Sequence, residues 1–402
     1  MTVGVTPVHA DGIRDAQWPL VTYQADSTIW PVSQGEGVTV AVIDSGVLKD
    51  HRDLTGQVLA GADFTGAKTD GTLDNDGHGT GMASLIAGHG HGSGAGVMGL
   101  APKAKILPVR ITLDEDSISD QSETARAIRY AVDHGAKVVN MSFAAPSGAD
   151  PDERAAVKYA MDKDVVLVAG TGNKGGAVEY PAAFPGVLAV GAVDRQGMIW
   201  DKSNFGPENT LVAPGAEIAQ ASAKSTSGQG IGSGTSAATA YVSATAALIR
   251  AKYPNLSAGQ VINRMIKTAT PPVDGSAVPS DRYGYGLLSP AKALEANPAV
   301  DGGSRENPLA GRAEAQGGVT PTPSEEEDWG SPVAVPPPSG PNRGVQWVLR
   351  GAAGLAGVVL IGVVVAVLVV VRRRRRRERA AAAAAYQGYP PPPQQQWPPY
   401  QG

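Results

Sequence analysis

Short apolar runs alternate with longer, helix-like stretches over the first three quarters of the chain. Continuous runs rich in Val, Ile and Leu, bounded by turn-forming residues, are typical of strands that are buried on both faces. The sequence therefore predicts five buried strands, at residues 38–44, 106–111, 137–141, 165–169 and 187–193.

Helices are predicted between these strands, at residues 78–88, 119–134, 151–163, 235–252 and 257–268. Ser119 and Ser257 begin two of these stretches and are suitable N-caps, because a hydroxyl can accept the unpaired amides of a first helical turn. Strands that alternate with helices in this way predict an α/β fold: three layers, with a mostly parallel central sheet covered by helices on both faces. This domain is predicted to span residues 36–298.

The pattern changes after residue 298. Residues 299–345 are rich in Pro, Gly, Ser and acidic residues and show no apolar period, so they are predicted to be a linker. Residues 346–371 are predicted as a single transmembrane helix. Residues 372–402 combine an arginine run with an alanine run and a Pro/Gln/Tyr tail, which is typical of a disordered segment.

The transmembrane prediction rests on residues 351–371, an uncharged apolar stretch about as long as the ~20 residues that cross a bilayer. Six arginines follow at residues 372–377 and favour the cytoplasmic side of a membrane. The arginines can also contact anionic lipid headgroups. These features predict a single-pass protein of the cell membrane, with the domain before the helix outside and the short tail in the cytoplasm.

The N-terminal end carries a weaker export signal. Val8-His9-Ala10 resembles the end of a secretory signal peptide, although no basic segment or apolar core precedes it. Because the predicted orientation demands export, we expect residues 1–10 to be the remnant of a signal peptide whose true start lies upstream; an accidental match is the alternative. Residues 11–35 then form an N-terminal segment, predicted to wrap the domain as a strap.

Composition excludes several functions. The chain has no cysteine, which rules out disulfides, thiolate metal sites and cysteine nucleophiles. A net charge of −4 argues against nonspecific nucleic-acid binding, which requires clustered basic residues. Acidic loops at residues 70–76 and 114–120 could offer oxygen ligands to calcium, but solvated charge is the simpler interpretation. We predict no metal and no cofactor.

Three segments carry candidate chemistry. Residues 40–46, VAVIDSG, place Asp44 at the end of a strand, where α/β sheets collect their functional residues, although an aspartate there is often only a turn former. Residues 75–81, NDGHGTG, place His78 at the start of an apolar helix between glycines. Residues 232–238, GSGTSAA, place Ser236 at another helix N-terminus, where the positive end of the helix dipole stabilises a developing oxyanion.

Together these segments resemble the subtilase family, through the motifs VAVIDSGV, DGHGTGMASLIAG and GSGTSAATA over roughly residues 36–298. The order Asp, His, Ser is that of subtilisin. The resemblance implies a serine endopeptidase in which Ser236 is the nucleophile, His78 the general base and Asp44 the residue that orients the histidine. It also implies that Asn173, in residues 166–173 (VLVAGTGN), donates to the oxyanion; a turn role is the alternative.

The substrate is expected to bind as an extended strand along Ser142-Phe143-Ala144, which follow the strand at residues 137–141. Phe143-Ala144 depart from the usual Leu-Gly or similar pair of the family, which places specificity in doubt. Ala240 is a second departure, since many subtilases have proline early in this helix. Proline is tolerated only in a first turn, so this change should leave the triad intact.

Among subtilases the chain looks most like the mycosins, membrane-anchored proteases of type VII secretion systems. The resemblance rests on residues 10–18 (ADGIRDAQW), on residues 283–290 (YGYGLLSP), and on the Pro-rich stalk, single apolar helix and basic stop. It implies exported protein or peptide substrates and a type VII secretion membrane complex as partner. One departure is that mycobacterial mycosins carry cysteines.

Three other functions remain open from the sequence. The chain could be an assembly component of the secretion complex whose protease activity is incidental, or a zymogen inhibited by its N-terminal segment. It could also be a metal-dependent hydrolase, with His78, His89 and His91 as conceivable zinc ligands.

Overall fold

The computed structural model describes residues 12–92, 94–113, 121–145 and 150–312. The predictions for residues 1–10, for the loop at residues 114–120 with Ser119, and for the membrane helix and cytoplasmic tail lie outside these residues. Within them, no helix is both long and apolar enough to cross a bilayer.

The described strands are β1 (Thr39–Asp44), β2 (Ala62–Asp63), β3 (His89–His91), β4 (Ala95–Met98), β5 (Lys105–Arg110), β6 (Val138–Met141), β7 (Val166–Gly170), β8 (Leu188–Val193), β9 (Asn209–Pro214), β10 (Ile218–Ser222) and β11 (Gly228–Gly232). Seven of them form one sheet in the order β2-β5-β1-β6-β7-β8-β9, and every described pair in it is parallel. The remaining four form two antiparallel hairpins, β3-β4 and β10-β11.

The described helices are α1 (Ile13–Ala16), α2 (Trp18–Thr22), α3 (His78–Ala87), α4 (Gln121–Asp133), α5 (Pro151–Asp162), α6 (Thr235–Lys252), α7 (Ala258–Thr268), α8 (Pro290–Leu294) and α9 (Pro298–Asp301). A π-helical turn, Ala25–Ile29, follows α2. The Ser257 side chain accepts from the Gln260 amide and the Gln260 side chain accepts in return, so the predicted N-cap of α7 is confirmed as a capping box.

Alternate residues of the strands supply the two cores. Val40 and Val42 of β1 pack on one face of the sheet with α3 and α6, whereas Ala41 and Ile43 pack on the other face with α4 and α5. Successive side chains of a strand point to opposite faces, so a continuous apolar run is what a doubly covered strand requires. The predicted three-layer α/β arrangement is confirmed for the described residues.

The N-terminal segment, residues 12–35, lies on the surface of this domain and is anchored by side chains. The Gln17 side chain exchanges hydrogen bonds with the backbone of Met98, at 2.7 and 2.9 Å. The Trp18 indole donates to the carbonyl of Ala216, and the Trp30 indole donates to that of Leu100. Together these contacts fasten the segment to the end of the β3-β4 hairpin and to the turn before β10.

The packed domain continues past the predicted boundary at residue 298. Leu309 is buried against the core, and its carbonyl accepts the amide of Gly186. The Arg312 guanidinium donates to three backbone carbonyls, those of Ala182, Phe184 and Glu208. Residues 299–312, whose composition predicts a linker, therefore belong to the folded domain, because two anchoring side chains hold an otherwise polar segment.

Candidate active site

Asp44 ends β1, at the carboxyl edge of the sheet. The strands β5 and β2 lie on one side of β1, and the later strands β6–β9 lie on the other side. The direction in which strands are added to the sheet therefore reverses beside β1. Such a reversal opens a crevice where α/β proteins bind ligands. The Asp44 side chain is fully buried, and its Oδ1 accepts the Ser45 amide at 2.8 Å.

His78, the first residue of α3, faces Asp44. Its Nδ1 lies 2.8 Å from Asp44 Oδ1 and 3.0 Å from Oδ2, which fixes Nδ1 as the protonated nitrogen because a carboxylate can only accept. The His78 side chain is 31% exposed, so its Nε2 side is accessible while the carboxylate is not. The pair therefore presents a basic nitrogen at the mouth of the crevice.

The charge around His78 favours the imidazolium. Burial alone would lower the pKa of His78. The charge and hydrogen bond of Asp44, with the charges of Asp76 and Asp74, outweigh this effect and raise the pKa to about 9. A raised pKa makes the imidazole a stronger base, at the cost of a smaller neutral fraction at neutral pH.

Glycine at position 79 allows α3 to approach β1. A Cβ atom added there would lie 2.1 Å from the carbonyl oxygen of Gly46 and 3.0 Å from the Cβ of Asp44. The first distance is far below van der Waals contact, so any side chain would push the helix away from the turn. Glycine is therefore required at position 79, because the absence of a side chain there lets His78 come close enough to contact Asp44.

Ser236, the second residue of α6, reaches the same edge through β6. The parallel register pairs Ile43 with Met141, so Ser142 is the neighbour of Asp44 across the sheet. The Ser236 hydroxyl donates to the carbonyl of Ser142 at 2.8 Å, and the Ser142 hydroxyl donates to the carbonyl of Ser236 at 3.0 Å. Among the described contacts, Ser236 and His78 share no hydrogen bond, so the hydroxyl must turn before His78 can accept its proton.

Two buried polar residues, Asn140 and Ser243, stabilise the contact between Ser142 and α6. The Asn140 side chain donates to the Ser142 hydroxyl at 2.9 Å and accepts from the Ser243 hydroxyl at 3.0 Å. Ser243 lies about two turns of α6 after Ser236. Asn140 and Ser243 are both fully buried. A satisfied polar network inside a core has a single favourable geometry, which fixes α6 against β6.

Asn173 lies beyond β7 and is tied to the residue before Ser236. Its Oδ1 accepts from the backbone amide of Thr235 at 2.8 Å and from the Thr235 hydroxyl at 3.1 Å. The Nδ2 group is left as the donor, and it lies 3.3 Å from where Gly234 would carry a Cβ. The amide of Ser236, in the first turn of α6, has no acceptor inside the helix. Both donors therefore lie beside Ser236, the predicted nucleophile.

The predicted substrate segment, Ser142–Phe143–Ala144, belongs to no described strand. Ser142 is buried, Phe143 packs partly against the core under α4 and α5, and Ala144 is half-buried. The next residue, Ala145, pairs with Tyr180 in an isolated antiparallel bridge.

The conceivable zinc ligands have separate partners. His91 Nδ1 contacts Asp53, and both ring nitrogens of His89 contact backbone carbonyls, those of Gly90 and Thr55. His78 contacts Asp44. No group of three or more His, Asp and Glu side chains in the described residues could hold a metal ion.

The residues around the predicted triad that the sequence did not reveal are Ser45, Asp74, Thr80 and Thr235. Asp74 lies in the acidic loop that sequence composition assigned to solvated charge, yet it is buried and accepts four hydrogen bonds from the chain. The only sequence signal is its position four residues before His78, and an aspartate in a polar loop usually means a turn.

Comparison with known proteins agrees with these motifs. Residues 35–286 match the model of the subtilase family of S8 peptidases. Subtilisin DY of Bacillus licheniformis is 36% identical over 265 residues, which cover 64% of this chain and 90% of that protein. Mycosin-4 of Mycobacterium tuberculosis is 37% identical over 298 residues, covering 61% of this chain and 63% of that protein.

Among solved structures, the MycP3 protease from the type VII (ESX-3) secretion system aligns with a TM-score of 0.62 at 32% identity. The alignment covers 73% of this chain and 90% of that one. With the family match spanning more than half of its residues and an α/β domain of the same kind, the chain belongs to the subtilase family of serine peptidases and resembles the mycosins.

Proposed function

We propose that this protein is a membrane-anchored serine endopeptidase that cleaves exported proteins as part of a type VII secretion system. The contact that carries the proposal is the one between Asp44 and His78, which joins a buried carboxylate to a partly exposed imidazole where the strand order reverses. Membership of the subtilase family gives that contact a known kind of chemistry.

In the proposed mechanism the Ser236 hydroxyl leaves the Ser142 carbonyl and turns to His78. As Oγ bonds to the scissile carbonyl carbon, its proton passes to Nε2, and Asp44 stabilises the resulting imidazolium. The negative charge on the carbonyl oxygen is taken up by the Ser236 amide and the Asn173 side chain. The imidazolium then protonates the departing amine as the C–N bond breaks, and water hydrolyses the acyl-enzyme by the same steps in reverse.

The substrate side rests on Ser142, Phe143 and Ala144. An extended peptide would add a strand beside this segment, since its residues follow the central strand β6 and take part in no ladder among the described residues. The Ser142 carbonyl, now accepting from Ser236, would become available to the peptide once the hydroxyl turns.

Two observations support the membrane anchor and the role in secretion. The apolar stretch at residues 351–371 and the arginines after it support a single-pass anchor with the protease domain outside. Similarity to Mycosin-4 and to the MycP3 protease supports work at a type VII secretion complex.

Covalent trapping tests the catalytic part. The full chain in detergent would be incubated with a biotinylated fluorophosphonate, and the adduct mapped by mass spectrometry. Labelling at Ser236 that disappears in Ser236→Ala and falls steeply in His78→Ala is the expected result. An unlabelled Ser236 in folded wild-type protein, or activity that survives the reagent and is lost with a chelator, would refute it.

An assembly role is the second candidate, because the mycosin-like relatives belong to multicomponent secretion systems. A strain lacking the gene would be complemented with wild-type or Ser236→Ala protein at equal levels. If proteolysis is the main role, only the wild type restores secretion. Secretion restored equally by both would assign the main role to the scaffold.

A further inference from the structure

The loop that precedes α3 contains a second buried carboxylate, that of Asp74. Its Oδ1 accepts from the Ser45 hydroxyl at 2.9 Å and from the Gly77 amide at 2.7 Å. Its Oδ2 accepts from the amide and the hydroxyl of Thr80, at 2.9 and 2.5 Å. A carboxylate offers about four acceptor positions, so Asp74 is fully used by the protein itself.

These four donors belong to the two segments that carry the Asp44–His78 pair. Ser45 follows Asp44 directly, and its hydroxyl also accepts the amide of Gly79, at 3.0 Å. Gly77 and Thr80 enclose His78 in the first turn of α3. Thr80 also receives the amide of Leu48 on its hydroxyl oxygen, at 2.9 Å, which ties α3 to the turn after β1 a second time.

We infer that Asp74 is a positioning residue for the catalytic base, holding the first turn of α3 in register with the turn after Asp44 so that His78 meets Asp44. The inference rests on the proposed protease function for its kinetic consequences. Asp74 touches neither the imidazole nor the nucleophile; it acts through Ser45, Gly77 and Thr80.

Asn at this position would fit the space but not the donors. An amide has one oxygen and one NH₂ group, so two of the four donors would face another donor. The turn and the helix would then separate or shift, and a displacement of about 1 Å at a reacting group can reduce a rate by roughly 100-fold. The chain offers a matched control in Asp76, which also adds to the negative charge around His78 but is exposed. Among the described residues, Asp76 accepts one hydrogen bond, from the His78 amide, and asparagine keeps that bond.

The kinetic test compares Asp74→Asn with Asp76→Asn in the full chain. Both kcat and KM would be measured on a fluorogenic peptide at a pH above the titration of His78 in each variant, and rates would be divided by the concentration of folded sites. We expect Asp74→Asn to lower this plateau kcat about 10- to 100-fold with KM within about twofold, whereas Asp76→Asn keeps the wild-type plateau. Equal plateau kcat in Asp74→Asn and the wild type would overturn the inference.

Two further measurements keep the test decisive. If Asp74→Asn does not fold, Ser45→Ala removes only the bridge between Asp74 and the Asp44 turn, and it should lower kcat in the same way. In a Ser236→Ala background, the far-downfield proton NMR signal of His78 Nδ1 should be present in the parent and in Asp76→Asn but lost in Asp74→Asn. A signal that Asp74→Asn retains would contradict the positioning role. Because it needs no turnover, this signal tests positioning even if the protein proves to have no protease activity.

Discussion

At the scale of single residues, the ionisation of His78 sets the pH at which the proposed site works. Burial lowers the pKa of His78, and the aspartates around it raise it to about 9. Only the neutral imidazole can accept a proton, so below this pKa the active fraction falls tenfold for each pH unit. We expect kcat/KM to rise with pH and to reach half its maximum near pH 9, measured between pH 5.5 and 10.5.

The control for this profile is Asp76→Asn, which removes one of the negative charges that raise the pKa of His78. Its midpoint should move to lower pH while the plateau stays. A wild-type midpoint at or below about 6.5, the ordinary pKa of histidine, would contradict the electrostatic argument.

Glu153 is a second residue whose ionisation has a measurable consequence, here for stability. Burial, with a smaller contribution from the charge of Asp150, raises the pKa of Glu153 to about 8. The folded protein therefore holds a proton that the unfolded chain releases above about pH 4.5. Stability must fall as the pH rises from about 4.5 to 8, because over that range the folded state binds more protons than the unfolded state.

Glu153→Gln removes this dependence. We expect the variant and the wild type to differ least near pH 4 and the variant to be the more stable above pH 8, by up to about 4 kcal/mol. Urea unfolding at several pH values measures the difference. Parallel pH profiles for the two proteins would show that Glu153 is ionised in the folded state.

At the scale of elements, the N-terminal segment is fastened by few side chains. Trp18 of α2 is 6% exposed, with its indole bonded to the Ala216 carbonyl, whereas Val21 of the same helix is 71% exposed. We expect Trp18→Ala to lower the free energy of unfolding by about 3 kcal/mol or more, and Val21→Ala to change it by no more than about 0.5 kcal/mol. Urea unfolding of both variants is the measurement; equal effects would mean that the helix does not dock through its indole.

The same segment separates the strap hypothesis from the zymogen hypothesis. Among the described residues, no side-chain hydrogen bond of the segment reaches Asp44, His78 or Ser236. Its partners in the domain are backbone groups of Ala95, Gly96, Met98, Leu100, Ala216 and Leu248. These bonds favour the strap hypothesis, because they tie the segment to backbone carbonyls of the domain.

Elements differ in how well a sequence can predict them, for physical reasons. Thr39–Asp44 was predicted to within one residue because both sheet faces require apolar side chains there. Asn209–Pro214 was missed: it is fully buried, but two polar residues begin it and proline ends it. The Asn209 side chain is held by the carbonyls of Asp281 and Arg282, a tertiary contact that no local pattern encodes.

The candidate site shows the same division. Asp44, His78 and Ser236 lie in short motifs whose flanking glycines allow close packing, so these residues can be predicted from the sequence. Asp74 looks like any loop aspartate until the fold brings Ser45 and Thr80 to it. The turned-away hydroxyl of Ser236 could not be predicted either, because its partner is the backbone carbonyl of Ser142, which is 94 residues away along the chain.

At the scale of the whole molecule, residues 299–312 extend the domain beyond the last family-matched residue, 286. Leu309 is 5% exposed, and Asn307 donates to the Gly186 carbonyl at 2.8 Å. Burial lowers the pKa of Arg312 to about 10, so its guanidinium remains charged at neutral pH while it holds three carbonyls. Arg312, the last residue that the structure describes, thereby lies at the amino edge of β8 and β9, away from the carboxyl edge where Asp44 lies.

Two shortened chains, one ending at residue 312 and one at residue 298, test whether residues 299–312 belong to the domain. The longer chain keeps the Leu309 side chain, whose loss alone would cost about 2–5 kcal/mol, and the three hydrogen bonds of Arg312. We expect the shorter chain to melt about 5 °C or more below the longer one, and the longer one to match the full-length protein. Scanning calorimetry, with fluorophosphonate labelling of Ser236 at 20 °C as a check on the active site, makes the comparison. If both chains melt together, residues 299–312 add nothing to the fold, and the linker begins where composition alone places it.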